Sequence, residues 1–142
     1  ARLVYNTIDG LLKRKLKKIK QQENQPYKTA YKFDKENIKL NWNLNGIDIY
    51  NKIRGLSPFP GSRTTISSAT GKNKNVIIYD SDYIVDSHNL ENGRIIDEKG
   101  VIKIACSDGY IIIKNLKIEG RKRMDTKSFL NGFNLENYYI AK

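Results

Sequence analysis

The sequence predicts a mainly β domain with short helices, folded as a small antiparallel barrel. Three observations carry this. Apolar residues recur at spacings of three and four as far as Leu56, then alternate in steps of two beyond Gly61. Turn pairs punctuate the alternating part: Thr70-Gly71, Asn92-Gly93, Lys99-Gly100 and Asp108-Gly109. The stretches between them are many, short and closely spaced, as in small barrels.

Residues 1–20 read as an amphipathic helix followed by a basic tail. Leu3, Val4, Thr7, Ile8, Leu11, Leu12, Leu16 and Ile19 form one stripe, and Lys13, Arg14, Lys15, Lys17, Lys18 and Lys20 the opposite face. Gly10 is a natural place for the helix to stop early. Position 1 falls in mid-pattern without a capping residue, so the sequence reads as part of a longer chain. Residues 21–42 are polar and read as a linker, pinned by Tyr27, Tyr31 and Phe33. Trp42 is expected to be a packing anchor whose indole N–H finds one partner.

Residues 43–142 form the barrel domain. Its first element is a helix capped by Asn43, with Ile47, Tyr50, Ile53 and Leu56 inward. Ser57-Pro58-Phe59-Pro60-Gly61 must end it. Strands are expected near 63–68, 75–80, 82–86, 93–97, 101–106 and 110–118. In the last, Ile111 and Ile113 share one face and Leu116 and Ile118 the other, which one extra residue in a β-bulge would reconcile. Asp125 is placed to cap a short helix ended by Asn131-Gly132.

Composition limits the chemistry. The chain has 142 residues, 39% of them hydrophobic, enough for one core, and no apolar run approaches a membrane span. One cysteine, Cys106, excludes an internal disulfide, and one histidine, His88, excludes a multi-histidine metal site. Cys106 reads as a small buried residue and His88 as an exposed loop residue. Asp80, Asp82 and Asp86 read as surface residues that interrupt β structure. Lys plus Arg number 26 against 15 Asp plus Glu, a net charge of +11. That excess favours a polyanion, nucleic acid before an anionic membrane, although the Lys, Asn and Ile bias is also what nucleotide composition produces. Arg121, Lys122 and Arg123 fall in one turn, and Lys52, Arg54 and Arg63 gather around the proline-rich junction. Together they suggest a groove that follows a phosphate backbone.

Ile53-Arg54-Gly55-Leu56-Ser57-Pro58-Phe59-Pro60-Gly61 resembles the helix-to-barrel junction of methionyl-tRNA formyltransferases. Ala105-Cys106-Ser107-Asp108-Gly109, Gly120-Arg121-Lys122-Arg123-Met124 and Phe129-Leu130-Asn131-Gly132 resemble that family's later signatures, in order. Gln25-Pro26, Thr29-Ala30-Tyr31 and Leu40-Asn41-Trp42 fit its linker. Asn41 stands where the family usually has Asp, and Arg63 where it often has an aromatic residue. The resemblance implies an open, OB-like C-terminal barrel preceded by the last helix of an N-terminal catalytic domain.

The same resemblance implies a parent enzyme that formylates methionyl initiator tRNA from 10-formyltetrahydrofolate in translation initiation. It places the catalytic residues and that donor outside this chain, which needs no cofactor or metal of its own. It assigns tRNA contacts to Lys13, Arg14, Lys15, Lys17, Lys18, Lys52, Arg54, Arg63, Arg121, Lys122 and Arg123. The expected partners are initiator tRNA and the N-terminal domain, with no membrane. Leu3, Val4, Ile8, Leu11 and Leu12, if bare, would drive self-association. The expected compartment is the bacterial cytoplasm, or an organelle in a eukaryote. Two alternatives stand beside this: a free-standing OB-like nucleic-acid-binding module, and the C-terminal part of a sugar formyltransferase.

Overall fold

A computed structural model describes residues 2–20, 26, 32–135 and 138–142. Gln21 to Gln25, Tyr27, Thr29, Ala30 and Tyr31, used above as linker, pin and family positions, lie outside the described residues. The chain divides into two compact units, Ala1–Tyr31 and Lys32–Lys142.

In the first unit, α1 spans Arg2–Leu12 and buries no residue. It ends two residues past Gly10. Lys15 N–H reaches Gly10 O at 2.9 Å, Arg14 N–H reaches Leu11 O at 3.0 Å, and Arg14 takes the left-handed backbone at φ 52°. That pair of bonds is the Schellman closure, which satisfies helix-end carbonyls and turns the chain out of the helix. Residues 15–20 continue without helix, as the basic tail.

The second unit is a curled, open antiparallel sheet. Its elements are α2 Gly46–Leu56, β1 Ser62–Ser68, β2 Asn73–Val85, β3 Ile95–Glu98, β4 Val101–Cys106, β5 Gly109–Ile118, β6 Met124–Asp125, α3 Thr126–Gly132 and β7 Tyr138–Ala141. The strand order is β3-β4-β5-β2-β1-β7, with β6 against β5. The apolar inner face gathers Ile66, Val76, Ile78, Ile104, Ile111 and Phe129, among others, into one core. Ile38, Leu40 and Trp42 also lie within the packed body, ahead of residue 43. Leu40 N–H donates to Arg63 O and Arg63 N–H to Ile38 O, so this segment runs parallel beside the start of β1. Trp42 is buried, and its Nε1–H donates to Thr64 Oγ1 at 3.0 Å. Phe33 is 66% exposed and pins nothing.

Several expectations need correction. The helix α2 is not capped by Asn43; it starts at Gly46 with Asn45 at the cap position and no side-chain cap bond from it. The cap comes from 62 residues away, where Asp108 Oδ1 accepts Gly46 N–H at 2.7 Å. A carboxylate there suits both the orphan donors and the positive end of the helix. The inward stripe is Ile49, Ile53 and Leu56, while Ile47 is exposed.

The two strands expected at 75–80 and 82–86 are one, β2, so the aspartates do not break it. Asp82 instead pairs with Lys114 at 2.6 Å. A matched irregularity keeps the strand continuous. Tyr79 has no partner between the pairs Ile78–Leu116 and Asp80–Asn115, and Lys114 has none between Asn115 and Ile113. Lys114 is the extra residue that the alternation of β5 implied. It lets Ile111, Ile113, Leu116 and Ile118 all reach the core. Strands β6 and β7 were not expected from the sequence. Near β3, the chain at Gly93 joins the two sides of the sheet. Its N–H donates to Ala105 O and its carbonyl accepts Ala141 N–H, both at 2.8 Å. With φ at 87° and Ala141 O only 2.4 Å from where a Cβ would sit, glycine is required. Asp125 caps α3 as expected, accepting Ser128 N–H at 2.8 Å and Ser128 Oγ–H at 2.9 Å.

Candidate nucleic-acid interface

On the outer face of the sheet, residues between the buried positions point away from the core. Arg63 pairs in register with Ile77, and Ile77 with Lys117. Three adjacent strands thus carry a row in which two cations flank an isoleucine, with the outer strands about 10 Å apart. Lys39 lies beside Arg63 through the parallel bridge, and Lys35 approaches the same place. These four cations line a groove of about 410 Å³ whose one carboxylate, Glu119, accepts a hydrogen bond from Asn75 Nδ2 at 3.3 Å.

A second cleft, about 360 Å³, lies between the C-terminal half of α2 and the bulge of β2. Arg54 enters it from α2, and Arg123 from the segment after β5. Arg123 is held in place. Its guanidinium carbon lies 4.4 Å from the centre of the Tyr79 ring, and its Nε–H donates to Asn115 Oδ1. Stacking on an aromatic face fixes a guanidinium while leaving its charge. Groove and cleft adjoin at Gly61, where a Cβ would fall 2.5 Å from Ile77 Cγ2 and 3.0 Å from Tyr79 Cε1. Glycine at φ 78° therefore lets the junction pass beneath both side chains.

The remaining residues singled out from sequence fall differently. Lys52 is half-buried, and its Nζ donates to Lys39 O at 2.6 Å. Burial pushes its ammonium below the ordinary lysine range, and it serves to tie α2 to the segment entering the barrel. Arg121 and Lys122 are exposed. Arg121 leans toward the Phe133 ring, 5.9 Å away, so it and Arg123 reach different neighbours and the three-residue run is not one cluster. Lys13 is paired with Asp9 at 2.9 Å, one helical turn back. Arg14, Lys15, Lys17 and Lys18 are exposed in the first unit. Lys39 reads from sequence as an isolated surface lysine, and Lys35 and Lys117 are not singled out there; the parallel bridge and the strand register bring Lys39 and Lys117 near Arg63.

His88 is not an exposed loop residue. It is half-buried, with Nε2 2.9 Å from Cys106 O and 3.0 Å from Gly109 O. Leu90 N–H donates to Nδ1 at 3.2 Å, so the neutral ring carries its proton on Nε2. The ring clips the exit of β2 onto the β4–β5 turn. Cys106 is fully buried, and burial pushes its thiol above the ordinary cysteine range. Neither group stands ready as base or nucleophile. Among the described residues, no helix is long and apolar enough to cross a membrane.

Comparison with known proteins agrees with this architecture. Residues 32–134 match the model of the formyl transferase C-terminal domain. The chain is 38% identical over 112 residues to a methionyl-tRNA formyltransferase of Flavobacterium johnsoniae, covering 79% of this chain and 35% of that protein. It is 37% identical over 138 residues to one of Parabacteroides distasonis, covering 94% and 43% respectively. One of Bacteroides fragilis is 33% identical over 145 residues, covering 99% and 45%. The chain thus spans less than half the length of these curated relatives. A solved structure of HypX from Aquifex aeolicus shares the fold, with a TM-score of 0.52 at 16% identity over 98% of this chain and 26% of that one. By its match over most of the second unit, the chain belongs to the formyl transferase C-terminal domain family.

Proposed function

We propose that this chain is the tRNA-holding C-terminal part of a methionyl-tRNA formyltransferase. The whole enzyme transfers a formyl group from 10-formyltetrahydrofolate to methionyl initiator tRNA in the bacterial cytoplasm. The observation that carries the reading is the groove holding Lys39, Arg63 and Lys117, which come from the entering segment, β1 and β5 on the outer face of the barrel. Cations spread along such a groove suit phosphates, contacts that position a nucleic acid without reading its sequence. The exposed cations Arg14, Lys15, Lys17, Lys18, Arg54, Arg121, Lys122 and Arg123 add to that grip. This part raises the local concentration of the acceptor end near the catalytic residues and the formyl donor, both assigned to the N-terminal part. The bare stripe Leu3, Val4, Ile8, Leu11 and Leu12 gives the isolated chain a concentration-dependent sedimentation coefficient.

The deciding experiment titrates salt against binding to initiator tRNA, an elongator tRNA and a duplex of equal length. Near-equal affinities with a steep salt dependence are expected. Replacing Lys39, Arg63 and Lys117 together by alanine lowers the log–log slope by about 2–3 for all three ligands, at roughly 0.7–0.9 per phosphate. Loss confined to initiator tRNA would contradict a sequence-independent grip. No binding at low salt would leave the charge a matter of composition and favour the sugar-formyltransferase alternative.

A further inference from the structure

The Arg54–Arg123 cleft has features that a general positive surface does not. Two arginines line it, from positions 69 residues apart in sequence. Neither is ion-paired among the described residues. Arg54 Nη2 donates only to the neutral Asn51 Oδ1 at 3.1 Å, and Arg123 Nε to the neutral Asn115 Oδ1. The carboxylate that also lines the cleft, Asp80, bridges neither of them. Neither guanidinium is neutralised by a bonded carboxylate, so an anion entering the cleft meets two unpaired cations beside Asp80.

Two further observations point the same way. Ser81 lines the cleft from β2, is 3% exposed, and has an Oγ without a hydrogen-bond partner among the described residues. A buried hydroxyl without a partner is uncommon, and an anion oxygen supplies an acceptor. The cleft lies at the bulge of β2, where Tyr79 has no partner in β5 and its ring lies under Arg123. Bulges recur where a side chain is re-aimed for function.

We propose that this cleft is a phosphate subsite, holding one phosphodiester group of the strand whose neighbouring backbone follows the Lys39–Arg63–Lys117 groove. The proposal rests on the nucleic-acid reading above and adds a defined seat to it. The planar fork of a guanidinium matches two phosphate oxygens at once, which an ammonium does not. Tyr79 and Ile77 lie two positions apart on β2, about 7 Å, so cleft and groove are neighbours along one strand.

The test has two arms on the 142-residue chain. In the first, the arginine Nε–H resonances are followed by NMR during titration with inorganic phosphate, with chloride at equal ionic strength as control. Saturable shifts of Arg54 and Arg123 are expected in phosphate alone. R54Q and R123Q each weaken phosphate by about tenfold. R123K weakens it too, although the charge is kept. Amide spectra and thermal midpoints establish that the variants are folded. In the second arm, R123Q lowers the salt slope for initiator tRNA by about 0.7–0.9. Shifts equal in phosphate and chloride, or none, overturn the subsite. Saturable phosphate binding with wild-type tRNA affinity and slope in R54Q and R123Q overturns the nucleic-acid occupant and leaves a site for a small free anion. Absence of any tRNA binding by the wild-type chain sinks the functional reading itself, and the phosphate arm still reports on the cleft.

Discussion

Thr64 shows how much can rest on one hydroxyl. Its Oγ accepts the indole N–H of Trp42 and donates to Lys142 O at 2.9 Å, so it ties the entering segment, β1 and the end of the described chain together. Both side chains of the Trp42–Thr64 pair are buried. Replacing Thr64 by valine keeps the shape and removes both bonds, leaving a buried indole donor unpaired. The expected loss is about 1–3 kcal/mol in urea unfolding, and serine in its place restores most of it. An unchanged midpoint in Thr64→Val would show that the bond contributes nothing. That Trp42 would need a partner was legible in the sequence; that the partner is Thr64 was not, because 22 residues separate them and only the parallel bridge at Arg63 brings them together. His88 teaches the same lesson. Its ring is read as loose from a polar loop sequence, yet three backbone groups of distant strands and its own loop hold it.

At the scale of elements, local signals were readable wherever the physics is local. The cap of α3 is an example. Asp125 is three residues before Ser128, and the bonds it accepts from Ser128 hold its carboxyl below the usual range. A carboxylate with a lowered folded-state pKa stabilises above the unfolded pKa, near 3.9, and that contribution is lost as pH falls through the folded value. Asp125→Ala therefore lowers the thermal midpoint at pH 7, and the gap to wild type closes in strong acid. A gap independent of pH would mean that the charge plays no part. The bulge of β5 was equally local, visible as a slip in alternation at Lys114. The cap of α2 was not, since Asp108 supplies it across the fold. Strands β6 and β7 were hidden because each is short, two and four residues, and exists only through pairing with β5 and β1. Closure at Gly93 is the sharpest element-scale test. Gly93→Ala forces a side chain into Ala141 O, so β7 should detach. Amide protons of Thr65 and Ala141, which bond across that edge, should then exchange faster while those of β4 and β5 stay protected.

For the whole molecule, charge is shared between the two units while the core lies in one. Residues 1–31 carry eight Lys and Arg against two Asp and Glu, a net +6, which leaves +5 on residues 32–142. Yet the core lies in the second unit, and α1 buries no residue. The described residues of the first unit thus add charge and none of the barrel core. A chain of residues 32–142 is expected to unfold within about 3 °C of the full chain, corresponding to less than about 1 kcal/mol. If the proposed tRNA-holding role is right, its affinity for tRNA is expected to change much more. Each phosphate that loses a cation takes roughly 0.7–0.9 from the salt slope, so the slope should fall by about half if both units grip in proportion to their charge. A slope that stays unchanged would confine binding to the Lys39–Arg63–Lys117 face. A fall to near zero would confine it to Lys13–Lys20, and the outer face of the barrel would then be a solvated surface. Sequence alone could count these charges, but not place the core in one unit, because the apolar stripe of residues 3–12 reads like core until the structure shows it exposed.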